Sequence, residues 1–217
     1  VDIIDIGGES TRPNYTKITD QEEIDRVVPV IQMIKSRFDI PISIDTYKSE
    51  VARAAIKAGA DLVNDIWGLK YDPQMAAVIA EYEIPVCIMH KRDNMDYTDF
   101  MSDVIMDLEE SLELADAAGI KRDRIILDPG VGFAKTYEMN LEIINRLEEL
   151  YQLDLPVLLG TSRKSVIGLA LDLPVTEREE GTIATSVMAV MKGCHFIRVH
   201  NVSGNARAVK MTEAVKY

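Results

Sequence analysis

Short apolar runs and longer amphipathic stretches alternate along the whole of this 217-residue chain. Runs of four to six residues, rich in Val, Ile and Leu, predict strands at Asp2–Ile6, Pro41–Asp45, Leu62–Ile66, Pro85–His90, Ile125–Asp128, Pro156–Gly160 and Phe196–His200. Such near-continuous apolarity is what a strand buried on both faces of a parallel sheet requires. The helical period appears between them. Glu22–Phe38 places Ile24, Val27, Val28, Ile31 and Ile34 on one stripe, with Pro29 expected to kink it or to fall in its first turns. Ser49–Ala58 is Ala-rich and stops at Gly59, and Asp99–Ala118 stops at Gly119. Met139–Tyr151, Gly181–Lys192 and Ser203–Val215 complete the predicted helices.

Strand followed by helix, repeated seven times, predicts a parallel α/β fold in one domain spanning 1–217. A doubly wound open sheet and a (β/α)₈ barrel both fit that alternation. The barrel is favoured because polar residues gather at the C-terminal end of nearly every strand, whereas an open sheet concentrates them at one switch point. The chain opens VDIIDIGGES, already inside an apolar run. The expectation is therefore a (β/α)₈ TIM barrel whose first βα unit precedes Val1.

The strand exits read GGESTRPN, SIDTYK, VNDIWG, MHKRDN, LDPGVGF, GTSRKS and RVHNVS. Alternation places Ser43 with Asp45, Asn64 with Ile66, and Arg198 with His200, while Asp65 points away from Asn64. Taken singly, Asp45 and Asp128 also fit helix caps or turns, and His90 and His195 fit structural or rim positions. Coincidence at so many strand ends is what favours a site. Two carboxylates and an amide can hold a flat, nitrogen-rich ring through paired hydrogen bonds. Arg198, His200, Arg163 and Lys164 supply the cations that a phosphate or diphosphate requires.

Composition narrows the classes. The net charge of −12 argues against a general nucleic-acid or anionic-membrane surface. No apolar run approaches the roughly 18 residues of a membrane span. Cys87 and Cys194 lack metal-ligand spacing and read as reduced residues of a cytoplasmic protein. Neither a Walker A loop nor GxGxxG is present, which argues against a nucleotide cofactor.

DIGGESTRP, SIDT, VNDIWG, MH, DPGVGF, TSRKSVIG and RVHNV, in this order, resemble the dihydropteroate synthase family along essentially the whole chain. The resemblance implies condensation of 6-hydroxymethyl-7,8-dihydropterin diphosphate with p-aminobenzoate, giving 7,8-dihydropteroate and diphosphate. It implies a pterin site of Asp45, Asn64, Ile66, Met89, Asp128, Phe133, Gly160 and Lys164, with Arg198 and His200 holding the diphosphate. Asp45, Asp128, Lys164 and Arg198 would carry catalysis. Thr11, Arg12, Pro13 and Ser165 would help to form the p-aminobenzoate pocket. Mg²⁺ would assist, its protein ligand lying in the first strand ahead of Val1, and the family is usually homodimeric through outer helices. Asn14, Ala134 and Asn201 depart from the family, which commonly has Gly, Gly and Asp there. Two rivals stand beside this reading: a pterin-binding methyltransferase, which has no need of the SRK and RVH cations, and a silent pterin-binding barrel.

Overall fold

The computed structural model describes residues 1–10 and 16–216. The chain divides into two compact units, Val1–Met89 with Glu110–Ile125, and His90–Glu109 with Ile126–Tyr217.

The first unit contains β1 (Ile4–Gly7), α1 (Asp20–Lys35), β2 (Ile42–Asp45), α2 (Ser49–Ala58), β3 (Leu62–Asp65), α3 (Met75–Tyr82) and β4 (Val86–Met89). β1 pairs with β2, β2 with β3 and β3 with β4, every pairing parallel. Every position of β3 and β4 is buried, which accounts for the unbroken apolarity of β4, whereas in β3 the apolar Leu62 and Val63 give way to Asn64 and Asp65. Ile42, Ile44, Val63, Val86 and Ile88 have no exposure at all, and neither do Ile31, Val51, Ala55, Val78 and Ile79 of the helices. Each such aliphatic side chain contributes about 1.5–3 kcal/mol by leaving water. Truncating Ile44 to Ala would cost about 2–5 kcal/mol, because the cavity would not fully close.

α1 begins earlier than its apolar stripe indicates. Thr19 caps it by accepting from the Glu22 amide at 3.2 Å, a Thr-x-x-Glu start that precedes the first apolar residue. The helix runs on through Pro29, whose ring denies the Asp25 carbonyl its usual amide. α2 has the predicted bounds and ends at Gly59, whose φ of 115° is the left-handed cap. α3 was not anticipated: its eight residues, MAAVIAEY, are apolar nearly all round and show no stripe.

α4 (Phe100–Ala117) follows, then β5 (Ile125–Asp128), α5 (Tyr137–Asn145), β6 (Leu158–Leu159), α6 (Ser165–Leu171), α7 (Glu179–Met191), β7 (Phe196–Ile197) and α8 (Val202–Lys216). In the second unit β6 and β7 are parallel, and Leu127 forms a parallel bridge with Val157. These last strands are shorter than predicted, although the Arg198 amide still donates to the Leu159 carbonyl at 3.0 Å. The predicted helix Met139–Tyr151 divides. α5 is capped by Thr136, and Leu147–Leu153 continues as a 3-10 helix. Its buried Leu147, Leu150 and Leu153 recur every third residue, the spacing at which a 3-10 helix stacks side chains on one edge. The seven-residue α6 was also missed.

Candidate active site

In the first unit, ladder register decides which side chains share a face. Asp45 stands opposite Asn64, and Asn64 opposite Cys87. Opposed residues of a parallel pair project to the same side, and every second residue repeats it. Asp45, Asn64, Ile66 and Met89 therefore lie on one side, at the C-terminal ends of β2, β3 and β4. Gly7 stands opposite Asp45 and adds no side chain there. Asp65 projects the other way and works as a turn cap, accepting from the amides of Trp67 and Leu69 at 2.8 Å each. Ile66 and Met89 are buried and flank the polar pair.

Asn64 is 2% exposed, and neither end of its amide has a hydrogen-bond partner among the described residues. A buried amide left unmade costs about 1–3 kcal/mol. A ligand with facing donors and acceptors would remove that cost.

A second cluster in this unit was not singled out from sequence. The Lys48 ammonium pairs with Glu9 and Glu23, each at 2.9 Å, and donates to the Ile18 carbonyl at 2.8 Å. The Glu9 carboxylate also accepts from the Tyr47 hydroxyl and from the Ile18 amide. Burial works against both charges. The mutual bonds outweigh it, so the Lys48 pKa is raised and the Glu9 pKa lowered. The cluster thus joins Glu9 to Ile18 as well as to Lys48. The expected roles of Thr11, Arg12 and Pro13 lie outside the described residues.

In the second unit, Asp128 is fully buried at the end of β5. Its Oδ1 accepts from the Gly130 amide at 2.7 Å, and its Oδ2 lies 3.5 Å from Arg198 Nη2. The turn reading of this aspartate is realised on Oδ1, and Oδ2 is turned toward Arg198. Lys164 donates to the Val131 carbonyl at 2.6 Å and lies 5.1 Å from the centroid of the Phe133 ring. Gly160 faces Arg198 closely enough that a Cβ would stand 3.4 Å from its Nε. His200 is exposed, and its Nδ1 is 2.8 Å from the hydroxyl of buried Ser162, a partner that sequence did not mark. Ser165 opens α6 and is exposed.

The turn after Asp128 takes left-handed backbone at Gly130 (φ 70°), Gly132 (85°) and Ala134 (46°). Ala134 thus adopts, with a side chain, the conformation that the family's usual glycine reaches without strain. A Cβ on Gly130 would stand 2.0 Å from the His90 carbonyl oxygen, so no other residue fits.

His90 is buried, as the structural reading expected. Its Nε2 lies 2.8 Å from Asp107 and its Nδ1 2.7 Å from the Lys135 ammonium. Burial foremost pushes its pKa down to about 4, leaving the ring neutral. Burial likewise lowers Lys135 to about 7. Asp107 is also partly desolvated, but its bonds from His90 and Arg92 prevail and hold its carboxyl below the usual range. His195 is exposed, and its Nδ1 accepts from the Val157 amide at 3.3 Å. Cys87 and Cys194 are free thiols.

Comparison with known proteins converges on one family. A family model described as pterin binding enzyme matches residues 1–200. A dihydropteroate synthase of Clostridium beijerinckii is 59% identical over 215 residues, covering 99% of this chain and 80% of that one. The crystal structure of a dihydropteroate synthase from Clostridium difficile, solved in the presence of pteroic acid, superposes with a TM-score of 0.97 at 50% identity. That match covers 99% of this chain and 82% of the other. A Yersinia pestis dihydropteroate synthase in complex with a sulfonamide drug superposes at 0.96 with 40% identity, covering 99% and 80% respectively. The α/β fold class read from the alternation, that of a (β/α)₈-barrel enzyme, is the fold class of these proteins. The chain therefore belongs to the dihydropteroate synthase family of pterin-binding enzymes, transferases of folate biosynthesis.

Proposed function

We propose that this enzyme binds the pterin of 6-hydroxymethyl-7,8-dihydropterin diphosphate through Asp45, Asn64, Asp128 and Lys164, with Ile66, Met89, Phe133 and Gly160 lining the ring. Arg198 and His200 take the diphosphate; Thr11, Arg12, Pro13 and Ser165 contribute to the p-aminobenzoate pocket. The observation that carries the reading is Asn64, a buried amide with no protein partner among the described residues, on the same side of the sheet as Asp45. An amino-pyrimidine edge offers the donors and acceptors it lacks. The arginine beside Asp128, with His200 steadied by Ser162, supports the anion subsite and favours the synthase over a methyltransferase.

In the reaction the bond from the pterin methylene to diphosphate oxygen breaks, and a bond to the arylamine nitrogen forms. The amine then loses one proton. Positive charge develops on the methylene and spreads into the ring, where ionised Asp45 and Asp128 stabilise it. Arg198 and His200 stabilise the departing diphosphate. Charges fixed before reaction need no reorganisation as the transition state forms. The arylamine is neutral at pH 7 and attacks without a strong base. Among the described residues, no group of three or more His, Cys, Asp or Glu could hold a metal ion. The Mg²⁺ implied by the resemblance needs no such cluster: it would assist by binding the substrate diphosphate together with waters, as Mg²⁺ usually does.

The same reading takes 1–217 as one domain, supported by α4 and β5, each of which contributes residues to both units. It takes the enzyme as a homodimer: Leu169, Met191, Met211 and Val215, on the outer helices of the second unit, are more than half exposed. It also places the enzyme in the cytoplasm. Two free thiols fit a reducing compartment, and no described helix is long and apolar enough to cross a membrane.

The test is diphosphate release with and without p-aminobenzoate. Release that requires the arylamine is expected; a protein that binds pterin yet shows no such release would be the silent barrel instead.

A further inference from the structure

The turn from Asp128 to Lys135 presents its carbonyl groups to cations and donors. Val131 O accepts from Lys164 at 2.6 Å, Ala134 O from the Tyr97 hydroxyl at 3.0 Å, and Lys135 O from Asn140 at 3.1 Å. Gly130 O and Phe133 O both accept from one ammonium, Lys135 Nζ, at 3.1 Å each. The third acceptor of that ammonium is His90 Nδ1 at 2.7 Å. Three N–H donors meet three acceptors in a residue that is 8% exposed.

This arrangement sets the histidine tautomer. An Nδ1 that accepts from Lys135 leaves the ring proton on Nε2, where it donates to Asp107. Asp107 is in turn held by Nε and Nη2 of Arg92. Arg92, Asp107, His90 and Lys135 therefore form a chain of alternating donors and acceptors that ends on the turn. With left-handed backbone at Gly130, Gly132 and Ala134, the turn has little local preference for this shape, and bonds from outside must hold it. His90 grips it a second time, its amide donating to the Asp128 carbonyl at 2.8 Å.

We infer that Lys135 is a positioning residue of the pterin site: its buried ammonium, aimed by His90, ties the Gly130 and Phe133 carbonyls together. It thereby fixes the Asp128 carboxylate and the Phe133 ring on which the pterin rests. The inference depends on the pterin roles proposed above for Asp128 and Phe133. Lys135 touches no reacting atom; it acts through the turn.

The experiment uses the full chain, with pterin binding read by fluorescence titration and backbone order read by amide hydrogen exchange. Lys135→Met preserves bulk and removes all three donors. Exchange should rise at residues 130–135 while the strand cores stay protected. Pterin affinity should fall about 100-fold, the scale of a roughly 1 Å misplacement of a binding group. The KM for p-aminobenzoate should stay unchanged. A folded Lys135→Met protein that binds pterin as tightly as the parent overturns the inference. So does exchange that rises evenly over the whole chain, the mark of a merely structural lysine.

Should Lys135→Met fail to fold, two variants at position 90 decide. His90→Asn offers Lys135 an oxygen near the place of Nδ1, whereas His90→Leu offers none. Weaker pterin binding in His90→Leu than in His90→Asn supports the inference, and equal binding overturns it. A parent protein that binds no pterin would instead sink the function proposed above, and this inference with it.

Discussion

Arg198 Nη2 stands 3.5 Å from Asp128 Oδ2, at the outer limit of a hydrogen bond, while Oδ1 of the same carboxylate is firmly held by the Gly130 amide at 2.7 Å. The turn bond thus orients the aspartate, and the arginine contact is loose enough to exchange when an anion arrives. Arg198→Met should raise the KM for the pterin diphosphate about 10- to 100-fold, the worth of one charge-assisted contact. Binding of a pterin that lacks the diphosphate should be little affected. Steady-state kinetics with both ligands checks this, and equal losses for the two would remove Arg198 from the anion subsite.

Asp45 is assigned to the developing cation, not to the diphosphate. Asp45→Asn preserves shape and removes charge, so turnover should fall about 100- to 1000-fold, on the scale of losing one preorganised electrostatic partner. Diphosphate affinity should change far less. Single-turnover rates set beside inhibition by free diphosphate separate the two effects, and equal loss in both would count against the role.

His90 makes stability depend on pH. Burial chiefly lowers its pKa from the usual imidazole value of about 6.5 to about 4 in the fold. Between those values the unfolded chain binds a proton that the folded chain refuses. Stability is therefore fully present above about pH 6.5 and declines as pH falls toward 4, by about 3 kcal/mol for this group. Asp107 loses its own contribution only at lower pH, since its pKa is depressed below the usual carboxylate range. Urea midpoints measured from pH 7 to pH 4.5 should fall in the parent and fall less in His90→Asn. Parallel curves would show that another group governs this window.

Lys48 sits between two carboxylates with little solvent to share the charge. Lys48→Met would leave Glu9 and Glu23 facing each other, a loss of about 3–5 kcal/mol when a buried pair is broken from one side. Adding Glu23→Gln should recover part of it by removing one uncompensated charge. Equilibrium unfolding of the single and double variants is the check. A loss within the error of a surface substitution would mean that water already screens the cluster.

Ala134 at φ 46° carries strain that glycine avoids. Ala134→Gly should stabilise the protein by about 0.5–1 kcal/mol, relief of left-handed strain being partly offset by the freer unfolded chain. Thermal melts give the sign directly, and destabilisation would show that the methyl group packs usefully.

The alternation of apolar runs with helical stripes was enough to read α/β class and most element positions, because burial on two faces and burial on one stripe leave different periods in a sequence. Helices too short or too apolar to show a stripe, α3 and α6, escaped that reading. So did the 3-10 helix at Leu147–Leu153, whose three-residue spacing resembles a helical one. The motifs at the strand ends were equally legible and carried the family. Which groups pair was decided only by the tertiary structure. Nothing in GGES and SIDTYK says that Glu9 will meet Lys48, and nothing in MH and GVGFAK says that His90 will aim Lys135. Periodicity is a local property, set by 3.6 residues per helical turn or two per pleat. Partner choice among buried charges depends on distances across the fold, and a few ångströms there determine whether a charge is paired, neutral or left for a ligand.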